Sequence, residues 1–307
     1  MTRTGYVEST WQQFMSDYAC PKCQRALRDD TTCLTCDGCG TRFSTALGFP
    51  DFRIENLQGD VLLHEWAKSQ ASYERSEEPI DVAAALANIN GCREVYLRLP
   101  PISGRFLDVG GGYGLVRHFL PPNVEYLSID PWTGTMHQAH KLSQDSDYVR
   151  HFPYMNEPFA FVCGFAERLP FGPQTFDWVH MRSVIDHVAD PQMAMNESAR
   201  VMRPGSYLLL GVAATGGPSG SGTLEKGWRG LLAKVRFKLH QNGVRGLLQA
   251  IKRRLHSREF GDHHTWHPSI VDLRQLVSLA GLNIVWEHWT QPPYEFVVYI
   301  LSQKGRV

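Results

Sequence analysis

The chain has 307 residues, 43% of them hydrophobic, and 31 Lys and Arg stand against 31 Asp and Glu. That is the composition of an ordinary globular protein with room for one large domain and a small one, and it excludes a low-complexity chain or a polyanion binder by net charge, though not a local charged patch. No apolar run approaches the roughly 20 residues that span a bilayer, and Met1-Thr2-Arg3-Thr4-Gly5-Tyr6 has no signal-like apolar core, so a cytoplasmic protein without a transmembrane segment is expected.

Five of the seven cysteines fall between Cys20 and Cys39, which in a reducing compartment points to a metal rather than to disulfides. Cys20-Pro21-Lys22-Cys23 and Cys36-Asp37-Gly38-Cys39 are two Cys-x-x-Cys units twelve residues apart. Two knuckles at that spacing close a tetrahedral thiolate site for zinc, and four cysteine ligands leave no open catalytic position, so the role is structural. A register through Cys33 and Cys36 is the alternative, but it leaves Cys39 unused beside the metal. Residues 1–57 are thus expected to form a zinc-ribbon segment and 58–99 a helical connector across a ligand pocket. The connector carries apolar positions at Val61, Leu62, Trp66, Val82, Ala85, Leu86 and Ile89, with Tyr73 packing within it or touching the ligand.

From Arg105 the pattern changes. Phe106, Leu107 and Val109 suit a buried strand, Gly110-Gly111-Gly112-Tyr113-Gly114 a tight turn, and Val116, Phe119 and Leu120 one face of a helix near 113–120, stopped by Pro121-Pro122. Glycines let a backbone approach a ligand closely, and a helix start aims free N–H groups at it. A second strand, 124–129, ends in Asp130, twenty positions after Gly110, where a carboxylate can accept hydrogen bonds from two ribose hydroxyls. A nicotinamide dinucleotide and S-adenosylmethionine fit this equally. Asp108, two residues before the first glycine, tilts the choice toward the ligand with an ammonium group.

Further elements are predicted as helix 133–142, strands 160–164 and 176–180, helix 191–202 and strand 206–213. A helix over 270–280 ends at Gly281, and strands follow over 283–289 and 295–302. The stretch 140–160 has no assignment. Alternation of this kind argues for a mostly parallel sheet with helices on both faces, whose ligands bind outside the carboxyl ends of the strands, where Gly110, Asp130, Ala166 and Arg182 fall. A helical insertion over 215–268 opens with Thr215-Gly216-Gly217-Pro218-Ser219-Gly220-Ser221-Gly222, and its residues 226–258 hold ten Lys and Arg and no acidic residue. It suits a two-helix lid with a solvated basic face; an acidic substrate, RNA or a membrane surface are the other partners for such a face. Asp186-His187 follows the 176–180 strand, so His187 is a candidate base with Asp186 orienting it. His264, in Asp262-His263-His264-Thr265-Trp266-His267, is the second candidate. Three histidines so close together also raise a second metal, but they lack a helical i, i+4 pair.

Leu107-Asp108-Val109-Gly110-Gly111-Gly112-Tyr113-Gly114 resembles motif I of class I S-adenosylmethionine-dependent methyltransferases. Gly164 to Phe171 resembles that family's adenine-side loop, Phe176-Asp177-Trp178-Val179-His180 its fourth strand, and Arg200 to Tyr207 the turn into its fifth. Cys20 to Phe52 is similar to the zinc-ribbon segment preceding some bacterial methyltransferase domains, rRNA guanine methyltransferases among them. The resemblance implies a Rossmann-like, doubly wound, seven-stranded mostly parallel sheet over 100–307. It further implies cofactor contacts from Asp108, Gly110, Gly112, Gly114, Asp130, Pro131, Ala166, Glu167 and Arg182. Where the family usually has an aspartate toward the adenine amino group this chain has Phe165, leaving Glu167 or a backbone carbonyl to replace it. The leading expectation is methyl transfer to an O or N atom of a small molecule with His187 or His264 as base, S-adenosylmethionine as cofactor, and structural zinc on Cys20, Cys23, Cys36 and Cys39. An rRNA or tRNA base methyltransferase and a non-catalytic cofactor-binding scaffold are the competing expectations.

Overall fold

The computed structural model describes residues 9–53, 81–215, 217–219, 264–290 and 297–306. Its organising element is a seven-stranded sheet. Taking strands in chain order after a three-stranded N-terminal sheet, β1 (Leu27–Asp29), β2 (Cys33–Cys36) and β3 (Arg42–Ser44), the seven are β4 (Arg105–Val109), β5 (Glu125–Asp130), β6 (Ala160–Cys163), β7 (Phe176–Arg182), β8 (Met202–Ala213), β9 (Leu282–Trp289) and β10 (Val297–Lys304). Their spatial order is β6-β5-β4-β7-β8-β10-β9. Strands β4 to β8 pair in parallel, and β10 runs antiparallel to both β8 and β9. The runs Phe-Leu-Asp-Val and Ala-Phe-Val-Cys are buried throughout, as strands covered on both faces must be.

Helices flank the sheet: α1 (Val82–Leu97), α2 (Thr135–Gln144) and α3 (Ser146–His151) cluster together, and α4 (Pro191–Val201) packs with α5 (Ile270–Leu279). Each start has a local cause. The side chains of Asp81, Asp145 and Asp190 accept backbone N–H groups at the first turns of α1, α3 and α4, and Ser269 with Asp272 makes a reciprocal capping box at α5. The Asp145 cap explains the unassigned 140–160 stretch, which holds the end of α2, all of α3 and a 3₁₀ turn over Pro153–Asn156. The chain passes outward from β4 to β5 and β6 and then returns to β7 beside β4, so the direction reverses at the carboxyl ends of β4 and β7. That is where a sheet of this kind opens a crevice.

One expectation changes. The helix near 113–120 is a single 3₁₀ segment, Leu115–Phe119, entered through Gly114 at φ 81. Pro121 leaves too little chain for an α-helix, and Arg117 is drawn inward, its guanidinium 5.0 Å from the Phe159 ring and 5.4 Å from that of Tyr154. No array of free α-helical N–H groups therefore follows the glycine turn. The N-terminal segment shares one hydrophobic core with the large sheet. Cys163 N donates to Pro50 O (2.9 Å), Phe52 N donates to Cys163 O (2.7 Å), and Phe161 N donates to Ser9 Oγ (2.9 Å), so residues 9 and 50–52 occupy hydrogen-bonding groups of the edge strand β6. Phe52 packs at a tilt between Tyr18 (5.4 Å) and Phe43 (5.1 Å), Phe49 meets Phe161 edge-on at 4.8 Å, and Asp17 pairs with Arg105 at 2.6 Å. The basic insertion 226–258, its glycine hinge from Gly220, Tyr73 and the connector before Asp81 lie outside the described residues.

Because Phe52 is fully buried at this junction, Phe52→Ala is expected to cost about 3 to 5 kcal/mol. Urea unfolding followed by both tryptophan fluorescence and far-ultraviolet circular dichroism should shift as one transition; two separated transitions would contradict a shared core.

Candidate active site

Three residues aligned by strand register form the floor of the crevice. Asp108 on β4 lies in register with Ser128 on β5 and His180 on β7, three polar side chains at one level of a buried apolar sheet. Asp108 Oδ1 meets His180 Nδ1 at 2.6 Å, Tyr126 donates its hydroxyl to Asp108 Oδ2 at 2.7 Å, and Tyr96 on α1 reaches His180 Nε2 at 2.8 Å. Asp108 is thus buried beneath the glycine turn with both oxygens hydrogen-bonded to protein groups. A buried carboxyl must be hydrogen-bonded, and the sheet supplies the partners.

Above this floor the glycines divide in function. Gly110, at φ 65, packs against Val184, and a Cβ at Gly111 would enter the Asp108 carboxylate and the Ser128 hydroxyl, so both are required by the protein's own packing. Gly112, at φ 50, has nothing among the described residues within 4 Å of where its Cβ would stand. Its N–H donates to Asp130 Oδ2 at 3.2 Å, while Trp132 N donates to Oδ1 at 2.9 Å. The carboxylate at the tip of β5 is held in place over the turn by two backbone donors, and a carboxylate at such a strand tip suits a vicinal diol. The Pro131 carbonyl beside it accepts from Arg53 at 3.4 Å.

The adenine-side loop follows β6 as a 3₁₀ turn, Ala166–Arg168. Glu167 Oε1 accepts Ala189 N at 2.8 Å and Asp190 N at 3.4 Å, tying the loop to the start of α4, and burial holds its carboxyl above the usual range. Arg182, at the end of β7, donates to Asn88 Oδ1 on α1 at 2.7 Å and lies over the Tyr299 ring at 5.9 Å, so it joins α1 to the sheet.

After β7 the chain turns back through Ser183 in a left-handed conformation, φ 55, which carries Val184 onto Gly110 and brings residues 185–188 across the strand ends. Here the two candidate bases meet, although 76 positions separate them. His187 and His264 stack with ring centroids 4.6 Å apart at 31°, and His267 follows at 5.4 Å from His264. Asp186 lies against both, its Oδ2 3.5 Å from His264 Nε2 and its Oδ1 4.0 Å from His187 Nε2. The alignment is made by backbone: Thr265 N and Trp266 N donate to Asp186 O at 2.9 and 3.3 Å, and Thr265 Oγ1 donates to Val188 O at 2.7 Å.

The four cysteines Cys20, Cys23, Cys36 and Cys39 converge, with all sulfurs within 4.8 Å of one another and the closest pairs at 3.4 and 3.7 Å. Sulfurs around one tetrahedral zinc at the usual 2.3 Å lie about 3.8 Å apart, so the set fits that ion. Gly38 N and Cys39 N point at Cys36 Sγ from 3.3 and 3.5 Å, the usual arrangement around a ligating thiolate. Cys33 lies elsewhere, its sulfur 3.2 Å from an Arg42 nitrogen that holds the thiol below its ordinary value.

The Asp108–His180 level was missed by reading motifs one at a time. Its signal was two polar residues in otherwise apolar strands, and only strand register shows that they face each other.

A sheet of this order, with a glycine turn after β4 and a carboxylate closing β5, is a Rossmann-like fold of the kind found in methyltransferases. Residues 107–210 match the family described as a methyltransferase domain. An uncharacterized methyltransferase of Schizosaccharomyces pombe is 29% identical over 120 residues, 38% of this chain and 42% of that protein. One from Mycobacterium tuberculosis is 30% identical over 122 residues, 39% of this chain and 44% of that one. The matches thus span less than half the length of these curated relatives. Among solved structures, a SAM-dependent methyltransferase of Leishmania major superposes with a TM-score of 0.51 at 15% identity, over 81% of this chain and 87% of that one, a likeness of fold.

Removing the Tyr126 hydroxyl (Tyr126→Phe) strands one Asp108 oxygen, with an expected cost of about 1 to 3 kcal/mol; His180→Ala strands both Asp108 Oδ1 and the Tyr96 hydroxyl and is expected to cost more. Denaturant midpoints check the order. Losses below about 0.5 kcal/mol for both, the level of an ordinary surface change, would show that the buried network carries little.

Proposed function

We propose that the protein transfers a methyl group from S-adenosylmethionine to an oxygen or nitrogen atom of a small molecule. The observation that carries this is the convergence, at one crevice, of an open glycine cradle at Gly112 beside the fixed Asp130 carboxylate and the Asp186, His187 and His264 cluster, which Val184 links to Gly110. Bound there, the cofactor supplies a methyl group already activated on a sulfonium. The protein's part is placement and acceptor activation. Asp130 takes the ribose hydroxyls, Gly110, Gly112 and Gly114 with Pro131 shape the cradle, and Ala166 with the backbone of the Glu167 turn lines the adenine side. The Asp186, His187 and His264 cluster faces the acceptor and removes the obstacle to attack, which is the acceptor's proton. Cys20, Cys23, Cys36 and Cys39 hold one structural zinc, whose closed set of four thiolates takes no part in the chemistry. The balanced charge of the chain supports a small-molecule acceptor over RNA.

Asp130→Ala is expected to weaken S-adenosylmethionine binding about thirtyfold to a thousandfold, the loss of two hydrogen bonds to a carboxylate worth about 2 to 4 kcal/mol together. Unchanged affinity by calorimetry, or preference for a nicotinamide dinucleotide, would refute the assignment. His187→Ala and His264→Ala are each expected to lower kcat about a hundredfold or more with cofactor affinity retained. A screen with labelled S-adenosylmethionine against metabolite and RNA pools identifies the acceptor; label in RNA with strongly salt-dependent binding would replace the small-molecule assignment. One zinc per chain is expected by elemental analysis, and none in protein purified without chelator would sink the ribbon assignment.

A further inference from the structure

We infer that Asp186, His187 and His264 form a binding site for a divalent transition metal, separate from the cysteine cluster, through which the acceptor is held and activated; this rests on the function proposed above. Three donors of two imidazoles and one carboxylate with positions left open suit borderline ions such as zinc, cobalt, iron or manganese. Their donor atoms all lie within 4.8 Å of one another.

The geometry distinguishes a metal site from a simple hydrogen-bonded pair. In the same protein His180 and Asp108 show what such a pair looks like, at 2.6 Å. The Asp186 contacts are 3.5 Å to His264 Nε2 and 4.0 Å to His187 Nε2, too long for hydrogen bonds. Donors sharing an ion at about 2.1 Å stand roughly 3.0 to 3.4 Å apart, so small side-chain rotations close the set. Both imidazoles present the same atom, Nε2, to the carboxylate.

A second, independent observation concerns Asp186 itself. Its side chain is only 7% exposed, and Oδ1 is fully buried with no hydrogen-bond partner among the described residues. A buried carboxylate oxygen left unpaired is costly, and a cation held jointly with the facing imidazoles satisfies it. The frame is also prepared in advance, since Thr265 and Trp266 are bonded to the Asp186 carbonyl and His187 N donates to Val184 O at 2.8 Å. A dication here lowers the pKa of a hydroxyl bound at its open positions, so that the hydroxyl gives up its proton to solvent next to the methyl donor.

The test uses the full chain with its cysteine cluster first filled with zinc. Cobalt(II) is then titrated by calorimetry and visible absorption. One additional equivalent per chain is expected, with weak ligand-field bands and without the intense thiolate-to-cobalt charge transfer that a cysteine site gives. Asp186→Asn and His264→Ala, each checked for native circular dichroism, should lose that equivalent or bind it at least tenfold more weakly. Failure of the wild-type chain to take up a second equivalent overturns the inference without any variant being needed, and so does unchanged affinity in both variants. A chain that binds cobalt here but shows no S-adenosylmethionine binding refutes the proposed function and leaves the metal site standing. One that methylates its acceptor with no second metal does the reverse.

Discussion

A carboxyl group in the middle of a buried parallel sheet has to find hydrogen bonds inside the protein, and the rest of the crevice follows from how Asp108 finds them. It lies 2% exposed, one residue before the end of β4, with His180 on one neighbouring strand and Tyr126 on the other. Because strand register fixes which residues face each other, satisfying Asp108 also fixes β5 and β7 against β4. Tyr96 extends the same network to α1, and its ring stacks on Phe119 at 4.0 Å, which seats the short 3₁₀ segment after the glycine turn. The buried polar level therefore aligns the strands and helix that carry the cradle.

On that level the two halves of the crevice are joined by a packing constraint. Gly110 has no side chain because Val184 fills the space, and Val184 is there because Ser183 accepts a left-handed backbone conformation, a modest local strain held by the hydrogen bond from Ser183 N to Gly211 O at 2.7 Å. The glycine turn and the segment that carries Asp186 and His187 are thus packed directly against each other. In the reaction proposed above, where donor and acceptor must be placed to within fractions of an ångström, this contact would be the physical basis for placement.

The N-terminal segment has a structural task that a metal motif alone does not reveal. Strand β6 is the edge of the sheet, and an open edge is a template for pairing with other chains. Residues 50–52 and Ser9 occupy its backbone groups, and Phe49, Phe52 and Tyr18 bury themselves against Phe161 and Phe171. The cysteine cluster pins the small sheet β1 to β3, which has too little core of its own, and through it closes the edge of the large one.

Periodicity and turn chemistry are local properties, so the sequence by itself determined the alternation of strands and helices, the glycine turn, Asp130 at the tip of its strand and the pairing of Cys-x-x-Cys units. These depend on neighbours a few positions apart. Contacts across many positions were decided by tertiary structure alone. Asp108 is paired with His180, Glu167 fastens a loop to α4, and Arg182 fastens α1 to the sheet, each through a partner 22 to 94 positions away that no local pattern encodes. His187 and His264 stood as two separate candidates in the sequence. Their meeting around Asp186 needed the backbone bonds of Thr265 and Trp266 to its carbonyl, and hydrogen bonds between segments that distant form only after the sheet between them has folded.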